Sequence, residues 1–206
     1  ATSIFNGTKA ITPGFFSIGV TSWISGAQWA ATNPSIGEAV STSNTDTYTT
    51  TLPLSSDTQS FYYNMVLNVY DVPDTSYGFN WLNVKKSLPA GVDYANGFYV
   101  TRVTDGGNAT GSFTISNSND YITVSATSNA LTDSNFYGDT YIISVKVTAD
   151  PTEISSSSIT YSGNAFSYAF NSSCYLECQF RNVNNAALNY AVYSNSTTVS
   201  YYGTKN

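Results

Sequence analysis

Tyr141-Ile-Ile-Ser-Val-Lys-Val147 decides the class of fold. Tyr141, Ile143, Val145 and Val147 fall on one face of an extended chain, with Ser144 and Lys146 on the other. That period of two belongs to a half-buried β-strand and does not fit a helix. Working outward, short segments of the same kind recur, separated by Gly, Pro, Asn and Asp. They are Phe15–Ile24, a strand marked by Tyr48, Thr50 and Leu52, Tyr62–Val72, Phe79–Val84, Phe98–Val103, Phe113–Ser116 and Tyr121–Thr127. After Tyr141–Val147 come Ala165–Phe170, Cys174–Phe180, Tyr190–Tyr193 and Val199–Tyr202. No helical periodicity persists for three turns. About a dozen strands predict an all-β fold of two packed sheets.

The 206 residues suffice for one large sandwich or two small ones, and 17 Tyr with 11 Phe supply its core. Charged residues are only 10%, while 30 Ser, 27 Thr and 21 Asn provide the polarity. Neutral hydroxyls and amides therefore wet the surface. Such a surface is common to secreted β-proteins, and it also suits strong acid, where carboxylates lose their charge and ion pairs fail. With 0 His, nothing gains charge near neutral pH on acidification. A net charge of −6, with 7 basic residues dispersed, provides no face for nucleic acid or an anionic membrane. No apolar run reaches the length of a membrane span. The chain opens without a basic segment leading into an apolar stretch, so Ala1 is expected to be a mature N-terminus left by processing.

Turn chemistry agrees with the strands. Asp105-Gly106-Gly107 predicts a hairpin joining Phe98–Val103 to Phe113, and Leu88-Pro-Ala-Gly91 predicts a tight turn before Tyr94. The stretch Gly78–Ser116 resembles immunoglobulin-like modules of extracellular proteins: a strand bearing Trp81, a Leu-Pro-Ala-Gly turn, a Tyr and a Ser-Phe-x-Ile strand follow in order. That resemblance covers under a fifth of the chain and implies an immunoglobulin-like β-sandwich architecture. Residues 1–24 read as an N-terminal tail and 25–206 as the sandwich, with a sub-division near 117–120 as the alternative to a single unit.

Four glycosylation sequons are present, at Asn6, Asn108, Asn171 and Asn195; Asn33-Pro-Ser35 fails because Pro occupies its middle position. Asn108 follows a turn signal, and Asn171 and Asn195 are expected in Ser/Asn-rich connections. Cys174 and Cys178 are the only cysteines. In an extended strand, residues four apart lie ~13 Å apart, beyond disulfide reach, and would be two buried thiols facing with Leu176 and Phe180. A tight turn would instead close a bond, and an oxidising compartment favours that closed pair. Two sulfurs without His make no metal site.

Chemistry is otherwise sparse. Without His, the Ser-His-Asp and Cys-His arrangements are excluded. Asp71 and Asp74 are the closest approach to a carboxylate pair, and a plain turn accounts for them before a catalytic or Ca²⁺ site does. Trp23, Trp29 and Trp81 with the tyrosines could stack on sugars, but strands favour aromatics for packing alone. Lys9 and Lys205, near the termini, are candidates for lysine–asparagine amide cross-links between subunits. No cofactor is expected, and the chain reads as a non-enzyme.

The N-terminal segment stands apart. Ile4, Phe5 and Ile11 lie in a stretch without an evident hairpin partner, and Phe16, Ile18 and Val20 follow on one strongly apolar strand. Such a strand exposed to water invites aggregation. It must pair within its own sandwich or within a neighbour's, and the second arrangement builds an open head-to-tail filament. An apolar leading strand, a low-charge sandwich rich in Ser, Thr, Asn and Tyr, several sequons and no His resemble the extracellular thread-filament subunits of thermoacidophilic archaea. The resemblance implies an extracellular, cell-surface location and identical subunits as partners. It places the donor strand within Ile4–Val20, and glycans on Asn6, Asn108, Asn171 and Asn195. The alternative is a monomeric secreted adhesin or carbohydrate-binding sandwich.

Overall fold

The computed structural model describes residues 2–3, 10–11, 35–41, 51–54, 59–69, 72, 77–118, 121–150, 153–154, 159–163, 165–183, 186–194 and 196–204. Its strands are β1 (Thr2–Ser3), β2 (Ala10–Ile11), β3 (Ser35–Ser41), β4 (Thr51–Leu54), β5 (Gln59–Val69), β6 (Gly78–Ser87), β7 (Val92–Arg102) and β8 (Phe113–Ser118). There follow β9 (Tyr121–Ala126), β10 (Asp139–Ala149), β11 (Thr160–Ser162), β12 (Ala165–Ser172), β13 (Tyr175–Val183), β14 (Ala186–Tyr193) and β15 (Thr197–Thr204). The fold is all-β, an immunoglobulin-like sandwich. One helix, α1 (Ser128–Leu131), interrupts it, capped where the Ala130 amide donates to Thr127 Oγ1 at 3.1 Å. Among the described residues no helix is long and apolar enough to cross a membrane.

The alternation of Tyr141–Val147 does what its period requires. β10 lies in the interior of the sheet β3-β5-β10-β7, antiparallel to both neighbours, and Tyr141, Ile143, Val145 and Val147 are fully buried in the core. A five-stranded sheet, β14-β13-β6-β9-β8, faces it: Phe113 of β8 meets Tyr141 edge-on with ring centroids 5.5 Å apart. The other face of β5 and β10 is also closed at Val66, Asn64, Ile142 and Ser144, with Asn64 Oδ1 accepting from Ser144 Oγ at 2.8 Å.

Two packed sheets are expected from sequence, whereas three larger sheets share the core. The third, β11-β12-β15-β4, contributes Leu54, Phe170, Val199 and Tyr201. Among the described residues it ends on β4, whose four residues run parallel to β15 and pair with Thr198–Tyr201. β8 and β9, on either side of residues 117–120, pair with each other, and the core cluster draws on both sides of that position.

The turn at Asp105-Gly106-Gly107 corrects one expectation. The chain reverses there, with the Arg102 amide donating to Gly107 O at 2.9 Å and a bridge between Thr101 and Asn108. The returning strand is only this short piece. A 3-10 turn at Thr110–Ser112 then carries the chain to the five-stranded sheet, so Phe113 pairs with β9 and not with β7. Phe113 is buried between Phe136 and Tyr141, and that packing draws the strand across.

Four residues of the N-terminal segment are described as strand. β1 and β2 pair with each other, Thr2 opposite Ile11 and Ser3 opposite Ala10, in a two-stranded sheet separate from the other three. Ile4, Phe5, Phe16, Ile18 and Val20, most of the predicted donor strand, lie outside the described residues. So do Asn6, Asn195, Lys9, Lys205, Asp71, Asp74, Trp23 and Trp29.

Candidate functional site

Lys85 and Lys86 are adjacent in β6, and a strand must send them to opposite faces. Leu82 and Val84 point into the core, so Lys86 does too, while Lys85 joins Trp81 and Asn83 on the outer face. Two polar constellations follow, one inside the sandwich and one on the outer surface of the five-stranded sheet.

Inside, Lys86 Nζ forms an ion pair with Glu38 Oε1, and both side chains are 0% exposed. The ammonium also donates to Ser172 Oγ and to Ser173 O, the latter at 3.4 Å, and lies 3.8 Å from the centroid of the Tyr63 ring. Glu38 reaches this point because Ile36, Glu38 and Val40 share the inward face of β3. One residue from each larger sheet thus meets at Lys86: Glu38 from the first, Lys86 itself from the five-stranded sheet, Ser172 from the third. Burial, then the nearby Glu38 carboxylate, hold the Tyr63 phenol well above its ordinary range. Charges enclosed in this way are costly unless paired, and the three partners around Lys86 meet that need.

Cys174 is close enough to feel both charges. Its thiol is pushed up to about 12, first by burial and then by Glu38, with Lys86 opposing. Cys174 precedes β13 and Cys178 lies within it, and both are buried free thiols. The expected disulfide is therefore corrected. The chain from Tyr175 onward is extended against β6 and β14, and a strand separates residues four apart by more than a disulfide spans.

Outside, Tyr175 stands between Tyr193 on β14 and Lys85 on β6 as cross-strand neighbours. The Tyr175 and Tyr193 rings are 4.8 Å apart at their centroids, and Lys85 Nζ pairs with Glu177 Oε1 at 2.6 Å. A lattice of amides continues the face. Asn80 Nδ2 donates to Gln179 Oε1 at 2.7 Å, Gln179 Nε2 to Asn189 Oδ1 at 3.0 Å, and Ser125 Oγ to Asn83 Oδ1 at 2.7 Å. At the end of this face, Tyr121, Tyr175, Tyr193 and Lys85 line a hollow of about 390 Å³ together with Asn171, Ser172 and Ser173. Tyr193 is 68% exposed and Tyr121 40%.

Two of the predicted glycosylation residues fall among the described ones. Asn108 is exposed in the turn after Gly107, its Oδ1 accepting from the Thr110 amide at 2.9 Å. Asn171 is exposed too, but it lies within β12 and not in a connection, with Oδ1 accepting from Thr198 Oγ1 at 2.9 Å. Of the donor-strand residues only Ile11 is described, in β2. Among the described residues no three Cys, Asp or Glu side chains converge as a metal site would require. Sequence reasoning missed Glu38, Lys86 and the Tyr121–Tyr175–Tyr193 cluster. The Lys-Lys doublet inside an alternating strand was the signal available for the first pair.

No protein-family model matches the chain, and no curated protein resembles it in sequence. Among solved structures it is similar to BcpA, the major pilin subunit of Bacillus cereus, with TM-score 0.52 and 13% identity over 82% of this chain and 41% of that one. It is similar to the full-length major pilin SpaD of Corynebacterium diphtheriae, with TM-score 0.53 and 10% identity over 81% of this chain and 35% of that one. The N-terminal domain of the Streptococcus gordonii adhesin Sgo0707 matches with TM-score 0.52 and 14% identity, over 81% of this chain and 32% of that one. The chain thus spans about two fifths or less of the length of these structures. At such identities the likeness is one of fold.

Proposed function

We propose that this chain is the structural subunit of an extracellular, cell-surface filament, joined head to tail to identical subunits by donation of its N-terminal strand. The observation that carries the reading is the pairing at the N-terminus: β1 and β2 form a ribbon that is not part of any sheet of the sandwich. Among the described residues one sheet of the sandwich ends on β4, which pairs with Thr198–Tyr201 of β15. A neighbour's apolar strand from Ile4–Val20 laid along that edge would extend the ladder, with alternate side chains entering the core. Burying Phe16, Ile18 and Val20 would contribute ~1.5–3 kcal/mol each. The fold shared with two pilins and an adhesin supports the same reading, as does the absence of His for nucleophilic or imidazole-metal chemistry. Glycans on Asn6, Asn108, Asn171 and Asn195 would coat the filament, which is of the kind found in thermoacidophilic archaea.

Negative-stain microscopy of native material tests this directly. Fibres are expected from the full chain, none after deletion of residues 1–20, and shortened fibres when a peptide of residues 1–24 is present during assembly. Unaltered fibres from the deleted chain would overturn strand donation. The second reading, a monomeric adhesin, draws on the exposed tyrosines of the outer sheet; it predicts a native particle of one chain mass plus glycans.

A further inference from the structure

We propose that the hollow between Tyr121, Tyr175, Tyr193 and Asn171 is the seat of the first sugars of a glycan carried on Asn171. The inference rests on the reading of Asn171 as glycosylated, and adds where the sugar lies and what holds it. Asn171 lines the hollow and is exposed to solvent. Thr198 Oγ1 donates to the Asn171 amide oxygen at 2.9 Å and fixes the amide plane. The nitrogen, the atom that carries a glycan, is left on the other side of the group. Glycan transfer forms a bond from that nitrogen to the anomeric carbon of a lipid-phosphate-linked oligosaccharide; the lipid phosphate leaves and one amide proton is released.

The tyrosines that line the same hollow have the chemistry a pyranose needs. A sugar ring presents C–H groups on its faces and hydroxyls around its rim, so it is held by aromatic rings with fixed polar groups beside them. Tyr193 and Tyr121 offer rings that the fold leaves uncovered, and Tyr175 stands beside Tyr193. Lys85, in the lining, is paired at 2.6 Å with Glu177 outside it, and the other lining side chains are uncharged, so the hollow favours a neutral ligand over an ionic one. The volume, about 390 Å³, lies in the range of small-ligand sites, roughly 300–1,000 Å³, and leaves room for more than one ring. A glycan tethered at Asn171 reaches the tyrosines at high effective concentration, so a contact too weak for a free sugar suffices.

The test compares two sites on the same glycoprotein. Glycopeptide mass spectrometry first establishes occupancy at Asn171 and Asn108, and an unoccupied Asn171 overturns the glycosylation reading and this inference with it. With both occupied, exoglycosidase trimming is followed at each site on the folded chain. The Asn171 glycan is expected to be trimmed about five- to tenfold more slowly than the Asn108 glycan, the scale of an aromatic contact. Tyr193→Ala is expected to abolish the difference and Tyr193→Phe to keep it, with occupancy unchanged. Equal trimming at the two sites in the wild-type chain, or full protection surviving Tyr193→Ala, would overturn the seat while leaving glycosylation intact.

Discussion

Glu38 on β3 and Lys86 on β6 form an ion pair across the inside of the sandwich, with neither side chain in contact with solvent. The pair is the one full charge–charge contact between facing sheets among the described residues; the other ion pairs, at Lys85, and at Arg102 to Asp105 and Asp139, retain solvent. Its energetic character is therefore unlike theirs.

Removing one partner should cost far more than the pair contributes. Lys86→Met leaves the Glu38 carboxylate buried without its cation, and Glu38→Gln leaves the ammonium short of its counter-charge. Each is expected to lower stability by ~3–5 kcal/mol, and the double variant Glu38→Leu/Lys86→Met by clearly less than either. Recovery is incomplete because Ser172 Oγ and Ser173 O lose their donor. Guanidinium unfolding of the four chains measures the cycle. Single losses within ~0.5 kcal/mol, as for an exposed pair, would contradict the burial.

The two thiols give a pH dependence of definite sign. In the unfolded chain they ionise near the ordinary 9.0, whereas the folded Cys174 keeps its proton to about 12 and burial raises Cys178 as well. The stabilisation is complete below pH 9. Above it the unfolded chain releases protons first, and stability falls by ~1.4 kcal/mol per pH unit for each thiol until the folded pKa is passed. Tyr63, also raised by burial, steepens the fall above pH 10.0, where the unfolded phenol ionises. A denaturation midpoint that is flat up to pH 9 and then declines is expected. Cys174→Ala/Cys178→Ala should flatten the onset, and thiol reagents at pH 8 should label both sites only after unfolding.

Most of this architecture was legible because alternation survives wherever one face of a strand meets the core. β10, β6 and β13 were found at nearly their observed positions from Tyr141–Val147, Phe79–Val84 and Cys174–Phe180. β3 was missed because Gly37 and Glu38 break an otherwise regular Ile36-x-x-x-Val40 pattern, and a carboxylate at an inward position reads as a surface residue until its partner is known. Lys86 lies 48 positions away, and only tertiary pairing relates the two. The tyrosine hollow was hidden for a similar reason. Tyr121, Tyr175 and Tyr193 come from three strands, and sequence cannot tell an outward tyrosine from the buried Tyr63 or Tyr141. The two cysteines are free because the chain from Tyr175 onward is strand and not turn, a choice the spacing Cys-x-x-x-Cys leaves open.

Gly78 and Tyr137 provide a test of packing at the start of β6. Gly78 has φ +111°, and a Cβ there would lie 2.2 Å from the Tyr137 hydroxyl oxygen. That oxygen accepts from the Phe79 amide at 3.0 Å and donates to Leu131 O at 2.8 Å. Gly78→Ala combines a strained backbone with expulsion of a buried ring, and should cost more than ~3 kcal/mol. Tyr137→Phe keeps the ring and forfeits the two hydrogen bonds, for ~1–3 kcal/mol. Thermal unfolding should rank wild type above Tyr137→Phe, and that above Gly78→Ala. The reverse order of the two variants would mean that the ring yields easily.

The sequon at Asn108 separates the cost of losing a glycan from the cost of losing a turn. Thr110 serves both: its hydroxyl oxygen accepts from the Val100 amide at 2.9 Å, and its own amide donates to Asn108 Oδ1. Thr110→Ser keeps the hydroxyl and the acceptor rule for glycosylation, so stability and occupancy should both stay close to wild type. Thr110→Ala removes both, leaving the half-buried Val100 amide without its acceptor, and should cost ~1–3 kcal/mol even in unglycosylated protein from a bacterial host. Asn108→Gln abolishes the sequon and loosens the side-chain turn, since the longer amide fits that geometry poorly, but leaves the Val100 contact in place. In the unglycosylated background it should therefore be the milder of the two. A Thr110→Ala loss that appears only in glycosylated protein would assign the effect to the sugar and not to the turn.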